Sequence, residues 1–199
     1  MNKRERIEEL KRINDEVMNL TASPLYKERI KNKALSVTGE GDPNAKIMFI
    51  GEAPGKREAE SGKPFCGAAG RVLNELLVHI EMKREDVYIT NIVKDRPPGN
   101  RDPSPEEISI YAPFLDRQIE IIQPKVLATL GRHAMRHVLS EYTDGLVEHS
   151  IGEIHGKEFE TKLSHGGVKI VPLYHPAVAI YQYSKKDELK KDFEILKKY

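Results

Sequence analysis

Four short apolar segments constrain the fold more than any other feature of this sequence. They span residues 46–50, 87–93, 125–130 and 168–173. The longer segments between them carry apolar residues at three- and four-residue steps, the spacing of amphipathic helices. Strands that alternate with helices predict a parallel sheet covered on both faces. We therefore predict an α/β protein, a three-layer α/β/α sandwich around a central, mainly parallel sheet of four strands.

Chain length indicates how many domains to expect. The 199 residues fall within the usual size of one domain, about 100–200 residues. Near the start, Ile7, Leu10, Ile13 and Val17 recur at helical spacing between charged neighbours. We expect a single domain of residues 1–199, with residues 1–20 forming an N-terminal helical arm packed on it.

Composition excludes several classes of protein. No apolar run approaches the roughly 20 residues that cross a bilayer, and the first ten residues are charged where a secretory signal is apolar. We expect a cytoplasmic protein without membrane contact. The single cysteine, Cys66, excludes an intrachain disulfide and an all-cysteine metal site within one chain. The net charge of +1 means that binding to a polyanion depends on a local cluster of basic residues.

Three polar segments follow predicted strands. They are Gly51-Glu-Ala-Pro-Gly55, residues 91–103 and Tyr174-His175-Pro176. In a parallel sheet, ligands bind at the carboxyl ends of the strands, so we expect these segments to meet at one edge.

Two common motifs are excluded at these segments. The first is not a phosphate-binding loop, because Ile50 and Arg57 stand where that motif needs a glycine and a serine or threonine. His133 and His137 have the spacing of a zinc-binding helix but lack the glutamate that follows the first histidine in zinc proteases. We predict no metal.

Taken in order, four motifs resemble those of the family 4 uracil-DNA glycosylases, over a stretch from Leu20 to about Ile180. They are Gly51-Glu-Ala-Pro-Gly55 with Glu58, Gly62-Lys-Pro-Phe-Cys-Gly67, Asn91-Ile-Val-Lys94 with Arg96-Pro-Pro-Gly-Asn-Arg-Asp-Pro103, and His175-Pro-Ala177. The resemblance implies an enzyme that flips uracil out of DNA and hydrolyses its N-glycosidic bond, leaving an abasic site. We expect a monofunctional enzyme, since no lysine in the motifs is placed as a Schiff-base nucleophile.

Roles for the motif residues follow from the resemblance. Glu52 is predicted to stabilise the sugar cation or orient water, His175 to donate a hydrogen bond to uracil O2, and Glu58 to brace His175 or close the base pocket. Phe65 is predicted to stack on the base. Asn91 offers a carboxamide that complements uracil N3–H and O4. The other predicted substrate-binding residues are Gly51, Ala53 and Asn100, and the predicted DNA-binding residues are Lys56, Arg57, Lys63, Arg96, Arg101 and Val178.

Two segments carry more specific expectations. Asn100 and Arg101 are expected to hold Glu52 in place and to touch phosphate. After His175, one of Val178, Ile180 and Tyr181 is a candidate wedge that fills the space left by the flipped base; packing of the helix start is the open alternative for this segment.

One departure from the family is informative. These enzymes commonly hold a [4Fe-4S] cluster on four cysteines, and the matching positions here are Leu20, Ser23, Asp95 and Tyr111. Cluster irons need thiolate ligands. We therefore predict no iron–sulfur cluster and no other cofactor, with packing and hydrogen bonds holding the arm.

Two alternatives stay open. Family 1 enzymes carry a water-orienting Asp and a thymine-blocking Tyr where this chain has Ala53 and Gly55, so the enzyme is alternatively specific for another deaminated base, hypoxanthine or xanthine. The other alternative is a non-catalytic module that binds uracil-containing DNA. The expected partner is single- or double-stranded DNA containing uracil, with a replication clamp as a further candidate partner of a monomeric protein.

Overall fold

The computed structural model describes residues 1–143, 148–182 and 184–199. A central sheet of six strands, in the order β1-β3-β2-β4-β6-β5, organises this part of the chain. Strands β3, β2, β4 and β6 are parallel, and β1 and β5 add to the two edges antiparallel. The strands are β1 Glu40–Gly41, β2 Ile47–Gly51, β3 Tyr88–Asn91, β4 Val126–Leu130, β5 Phe159–Leu163 and β6 Gly166–Leu173.

The α/β prediction is confirmed, but the predicted number of four strands is wrong. The four parallel strands lie where apolar runs predicted them, and the two edge strands were missed. Strand β1 has only two residues. Strand β5 alternates half-buried and exposed residues and contains Glu160, Thr161 and Lys162, so it has no continuous apolar run to mark it. Edge strands face solvent on one side, which permits this polar composition.

Nine helices cover the sheet within the described residues, and their starts follow local capping rules. Asn2 and Ser104 cap the two longest helices, each reciprocated by a glutamate three residues later. The helices are α1 Lys3–Met18, α2 Pro24–Lys31, α3 Lys56–Ser61, α4 Ala68–His79, α5 Pro105–Ile122, α6 Arg132–Tyr142, α7 Ile151–Ile154, α8 Val178–Tyr181 and α9 Lys185–Phe193. Three 3-10 turns lie at Arg84–Asp86, Pro98–Asn100 and Glu194–Lys198.

Each central strand contributes to two cores, one on each face of the sheet. In β2, Met48 and Ile50 pack with residues of α1, α5 and α6, whereas Phe49 packs with residues of α4 and α9. The Phe49 ring stacks on Phe193 of α9 at 5.8 Å between centroids. All five residues of β2 are buried, because helices cover both faces of a parallel sheet.

Helix α1 is attached to the body through α5. Ile13 and Val17 are fully buried, in a cluster that includes Tyr111, Leu115 and Ile119 of α5. Organisation of residues 1–199 as one domain with residues 1–20 as an arm stays a prediction. None of the helices in the described ranges combines the length and apolar character needed to cross a membrane.

A buried polar network joins α1, α2, α5 and the segment after β3. The Tyr111 hydroxyl lies 2.8 Å from Ser23 Oγ and donates to Asp95 Oδ2 at 2.7 Å. Arg29 Nε lies 3.1 Å from the same carboxylate oxygen, and Arg29 Nη2 donates to the Met18 carbonyl at 2.6 Å. Asp95 is fully buried, so its charge depends on these partners.

Tyr111→Phe tests the contribution of this network to stability. The substitution removes one hydroxyl and leaves the buried Asp95 carboxylate short of a hydrogen bond, so we expect the free energy of unfolding to fall by about 1–3 kcal/mol. Urea unfolding followed by circular dichroism measures this change.

Tyr26→Phe is the matched control. The Tyr26 ring lies 5.1 Å from the Arg29 guanidinium, and no hydrogen bond from its hydroxyl is found among the described residues. Its loss should therefore change the free energy of unfolding by less than about 0.5 kcal/mol. Equal effects of the two substitutions would refute a stabilising role for the network.

Candidate active site

The ends of the parallel strands bring the predicted site residues together. The register pairs Gly51 with Asn91, the last residues of β2 and β3. It also pairs Leu130 with Leu173 at the ends of β4 and β6. His175 follows two residues after β6, so it reaches the same edge of the sheet. The predicted convergence of the motifs at one edge is therefore confirmed by the register.

Gly51 lies directly against two side chains of the site, those of Asn91 and Phe65. A β-carbon on Gly51 would lie 2.3 Å from Asn91 Oδ1 and 2.8 Å from Phe65 Cζ. Any larger residue at this position would displace both side chains, because both are buried. Gly51 thus lets an amide and an aromatic ring meet in one place.

Phe65 is held by an unusual turn. Its backbone has φ of +45°, a left-handed conformation that few residues other than glycine adopt. A β-carbon on Gly70 would lie 1.7 Å from the Phe65 carbonyl oxygen, so helix α4 packs directly against the turn. The Phe65 ring centroid lies 5.7 Å from that of His175, with the planes inclined by 34°.

These side chains line one pocket of about 210 Å³. This is below the roughly 300–1,000 Å³ of sites for drug-sized ligands, which suits a small planar molecule. Most of the predicted catalytic and substrate-binding residues belong to the lining. The lining residues are Glu52, Ala53, Pro54, Gly55, Glu58, Phe65, Ala69, Asn91, Pro97, Asn100, Arg101, Asp102 and His175.

His175 is a neutral hydrogen-bond donor in this pocket. Its Nδ1 accepts a hydrogen bond from the Ala177 N–H at 3.2 Å, which assigns the proton to Nε2. Burial lowers the pKa of His175 to about 4, although the nearby Glu58 carboxylate acts in the opposite direction. At neutral pH the imidazole is therefore uncharged and presents an N–H.

Glu58 supports the Phe65 turn. Its Oε1 accepts hydrogen bonds from the backbone N–H groups of Cys66 and Gly67, at 3.0 and 2.8 Å. Gly67 is the N-cap of α4, and a carboxylate at a helix N-terminus is stabilised by the helix dipole. No hydrogen bond joins Glu58 to His175 in the described part of the chain, so the structure does not support the predicted bracing of His175. Glu58 braces the Phe65 turn and lines the pocket, and its alternative role of closing the base pocket stays a prediction.

Glu52 faces a group of polar residues that the sequence analysis missed. Burial raises the pKa of Glu52 to about 7; the Asp102 carboxylate adds to this effect and Arg132 opposes it. His133 Nδ1 lies 3.8 Å from Glu52 Oε1, and His133 Nε2 lies 3.2 Å from Asp102 Oδ2. The position of Gly131 could have indicated this group. It directly follows the predicted strand of residues 125–130, so helix α6, which begins at Arg132, starts at the same edge of the sheet.

The expectation that Asn100 and Arg101 hold Glu52 is wrong. Asn100 Oδ1 accepts a hydrogen bond from Arg96 Nε at 2.7 Å. Arg101 binds both carboxylate oxygens of Glu107, at 2.8 and 2.6 Å. Glu52 Oε1 has no hydrogen-bond partner among the described residues, although it is buried. Each of these two side chains instead binds a residue close in sequence, Arg96 in the same loop for Asn100 and Glu107 in the first turn of α5 for Arg101.

The predicted DNA-binding residues differ in exposure. Val178 is half-buried and packs against the core beside α4 and α9, so the structure does not support it as the wedge. Tyr181 is 86% exposed and Ile180 is 46% exposed, which makes them the better placed of the three candidates. Around the pocket, Lys56, Arg57, Lys63 and Arg101 are exposed and Arg96 is half-buried.

Comparison with known proteins identifies the family. A family model of the uracil DNA glycosylase superfamily matches residues 38–197. The chain belongs to this superfamily. It is 41% identical to the type-4 uracil-DNA glycosylase of Sulfurisphaera tokodaii, over 94% of this chain and 83% of the relative. It is 40% identical to that of Archaeoglobus fulgidus, over 94% and 92% of the two chains. The type-5 enzyme of Thermus thermophilus is 30% identical, over 71% of this chain and 69% of the relative.

The four positions that the resemblance matches to cluster cysteines of the family 4 enzymes do not fit an iron–sulfur cluster. The Tyr111 hydroxyl lies within hydrogen-bond distance of both Ser23 and Asp95 in the buried network, and Leu20 packs against the same core. None of the four supplies a thiolate. Cys66 is exposed and lies in the Phe65 turn, within hydrogen-bond distance of Ser61 at 3.2 Å. The donor set therefore suits hydrogen bonding and does not fit the four thiolate ligands of an iron–sulfur cluster.

Proposed function

We propose that this protein removes uracil from DNA by hydrolysing the N-glycosidic bond, leaving an abasic site for repair. The observation that carries the proposal is that Phe65, Asn91 and His175 line one small pocket. An aromatic face, an amide edge and an imidazole N–H together match the face, the N3–O4 edge and O2 of a single pyrimidine. The names of the type-4 relatives support the same activity.

Base recognition is assigned to Phe65 and Asn91. A base flipped out of the stack loses stacking and pairing worth a few kcal/mol, which the pocket has to offset. Stacking on the Phe65 ring offsets part of this cost. The Asn91 carboxamide accepts from uracil N3–H and donates to O4, whereas cytosine presents the reverse pattern. Because Asn91 is only 2% exposed, a mismatched base would leave its polar atoms buried without partners.

Catalysis is assigned to His175 and Glu52. As the glycosidic bond breaks, negative charge develops on the base and positive charge on the sugar. The His175 Nε2–H donates to uracil O2, and a donor aimed at developing charge contributes about 2.7–4 kcal/mol in comparable sites. Glu52, with its buried and unpartnered Oε1, stabilises the sugar cation or orients the attacking water. His133 lies beside it, and the charges of Asp102 and Arg132 act on its pKa in opposite directions.

Binding of the DNA backbone is assigned to the basic rim. Phosphate contacts fix the position of a protein on DNA without reading sequence. The near-neutral net charge requires these contacts to be local. The proposed phosphate-binding residues are Lys56, Arg57, Lys63, Arg96 and Arg101, and the proposed wedge is Tyr181. We further propose that the protein acts inside the cell as a monomer, with a replication clamp as a candidate partner.

A single-turnover panel tests the proposed function. Oligonucleotides carrying U, T, hypoxanthine or xanthine, single- and double-stranded, are incubated with excess protein and scored for abasic sites. We expect excision of U alone. Asn91→Ala should lower the rate at least about a hundredfold, as loss of a preorganised polar group does. The exposed Asn44→Ala variant is the matched control and should excise uracil at the wild-type rate.

Each alternative predicts a different result in this panel. Excision of hypoxanthine or xanthine that survives Asn91→Ala would indicate another base as the substrate. Tight binding of uracil-containing DNA without any excision would indicate a non-catalytic module.

The pH dependence of excision tests Glu52. Its pKa is raised to about 7, so the carboxylate form is lost as pH falls through 7. Below about pH 6 we expect the single-turnover rate to fall roughly tenfold per pH unit. Glu52→Gln should remove this dependence and lower the plateau. Glu106→Gln, an exposed carboxylate on α5, should keep the wild-type profile; an acid limb that persists in Glu52→Gln would assign the titration to another group.

We also propose that the enzyme works without an iron–sulfur cluster. Protein purified anaerobically and incubated with iron and sulfide should contain far less than one cluster per chain by metal analysis and should lack cluster absorption. The uracil excision rate should be the same before and after this treatment. Stoichiometric iron and sulfide, or a gain in activity, would contradict the proposal.

A further inference from the structure

Lys94 is a fully buried lysine directly behind the base pocket. It follows β3 by three residues and has no exposed surface. Its Nζ donates to three oxygens: the Asn91 carbonyl at 2.6 Å, Gln118 Oε1 at 2.6 Å and Thr90 Oγ1 at 2.9 Å. The ammonium therefore binds the main chain of the residue whose side chain lines the pocket.

All three acceptors are neutral. No carboxylate lies within 4.0 Å of Lys94 Nζ among residues 1–143, 148–182 and 184–199, and Asp116 is the charged group that acts on Lys94 from further away. Buried lysines are rare unless paired. Burial lowers the pKa of Lys94 to about 7, so the ammonium form predominates on the acid side of neutrality. Three oxygen acceptors surround Nζ, so the site accommodates the ammonium form, and no ion pair among the described residues cancels its field.

The acceptors are themselves anchored. Gln118 Nε2 donates to the Thr38 carbonyl at 2.7 Å and to the Tyr88 hydroxyl at 3.3 Å. The Thr90 hydroxyl donates to the same Thr38 carbonyl at 2.8 Å. Both groups thus present oxygen lone pairs to Lys94, and the ammonium is fixed in position.

We propose that the Lys94 ammonium, fixed in place against the Asn91 carbonyl, promotes base excision by stabilising negative charge on the departing base from behind the pocket. This proposal rests on the proposed function. In a water-excluded environment a fixed charge acts more strongly than in solvent. A preorganised charge needs no rearrangement as the bond breaks. The base leaves as an anion, so a positive field behind Asn91 lowers the barrier.

Leaving-group dependence distinguishes this role from a structural one. Fluorine withdraws electron density, so 5-fluorouracil leaves as a more stable anion than uracil and depends less on stabilisation by the protein. At about pH 6.5, where the ammonium predominates, we expect Lys94→Met to slow single-turnover excision of uracil about thirtyfold and of 5-fluorouracil less than about threefold. A merely structural role would slow both substrates by the same factor.

Two controls accompany this measurement. Lys46→Met removes an exposed lysine next to the opposite end of β2 and should leave both rates unchanged. The affinity of Lys94→Met for DNA containing a stable abasic-site analogue should equal that of the wild type, because the proposed effect concerns the departing base.

Gln118→Glu gives a second route to the same conclusion. A carboxylate at this position keeps an acceptor for Lys94 and cancels its charge, but it loses the donor to the Thr38 carbonyl. Loss of that donor should lower both rates by the same factor. Cancellation of the charge should in addition lower the rate for uracil about tenfold more than the rate for 5-fluorouracil. If Lys94→Met does not fold, the ratio of the two excision rates is measured with Gln118→Glu instead. A wild type that fails to excise uracil would overturn the proposed function. A wild type that excises uracil, with variants that slow both substrates equally or neither, would overturn only the role of Lys94.

Discussion

The parallel pairing of β3, β2, β4 and β6 is the constraint on which the site depends. In parallel strands every carboxyl end points the same way, so the segments after these strands share one edge. The pairing of Gly51 with Asn91 sets the distance between the first two segments. Because Gly51 has no side chain, Asn91 and the Phe65 ring meet there. The end of β6 then carries His175 to the same pocket, where its ring centroid lies 5.7 Å from that of Phe65.

The segment after β3 is fixed by two consecutive buried side chains that bind different partners. Lys94 binds Gln118, and Asp95 binds Tyr111. Tyr111 and Gln118 are seven residues apart on α5, hence on the same face of that helix. Helix α5 therefore anchors the start of the loop that brings Asp102 beside Glu52. In the type-4 pattern, the position of Asp95 belongs to a cluster ligand; here a hydrogen-bonded carboxylate occupies it, and the loop is held by polar contacts.

Predictions from the sequence succeeded where the signal is local or depends on strand order, and failed where a side chain had a choice of partners. The apolar runs located the four parallel strands, and the order of the motifs placed Phe65, Asn91 and His175 around one pocket. Arg101 was expected at Glu52 but pairs with Glu107, six residues along the chain. Glu58 was expected to brace His175 or to close the base pocket; it lines the pocket, but its carboxylate binds backbone N–H groups at the start of α4 and not His175. A carboxylate or guanidinium binds whichever partner lies within reach in the folded chain. The spacing of residues in the sequence does not show which partner this is.

The sequence by itself determined the alternation of strands and helices, the absence of thiolate ligands, and the identity of the groups available to bind and cleave at one edge of the sheet. Only the tertiary structure decided the state of those groups. Burial raises the pKa of Glu52 and lowers those of His175 and Lys94, because each charged form loses its hydration when residues distant in sequence close around it. The sequence determines which side chains are present. Their desolvation and the distances between their charges are determined only when the chain has folded.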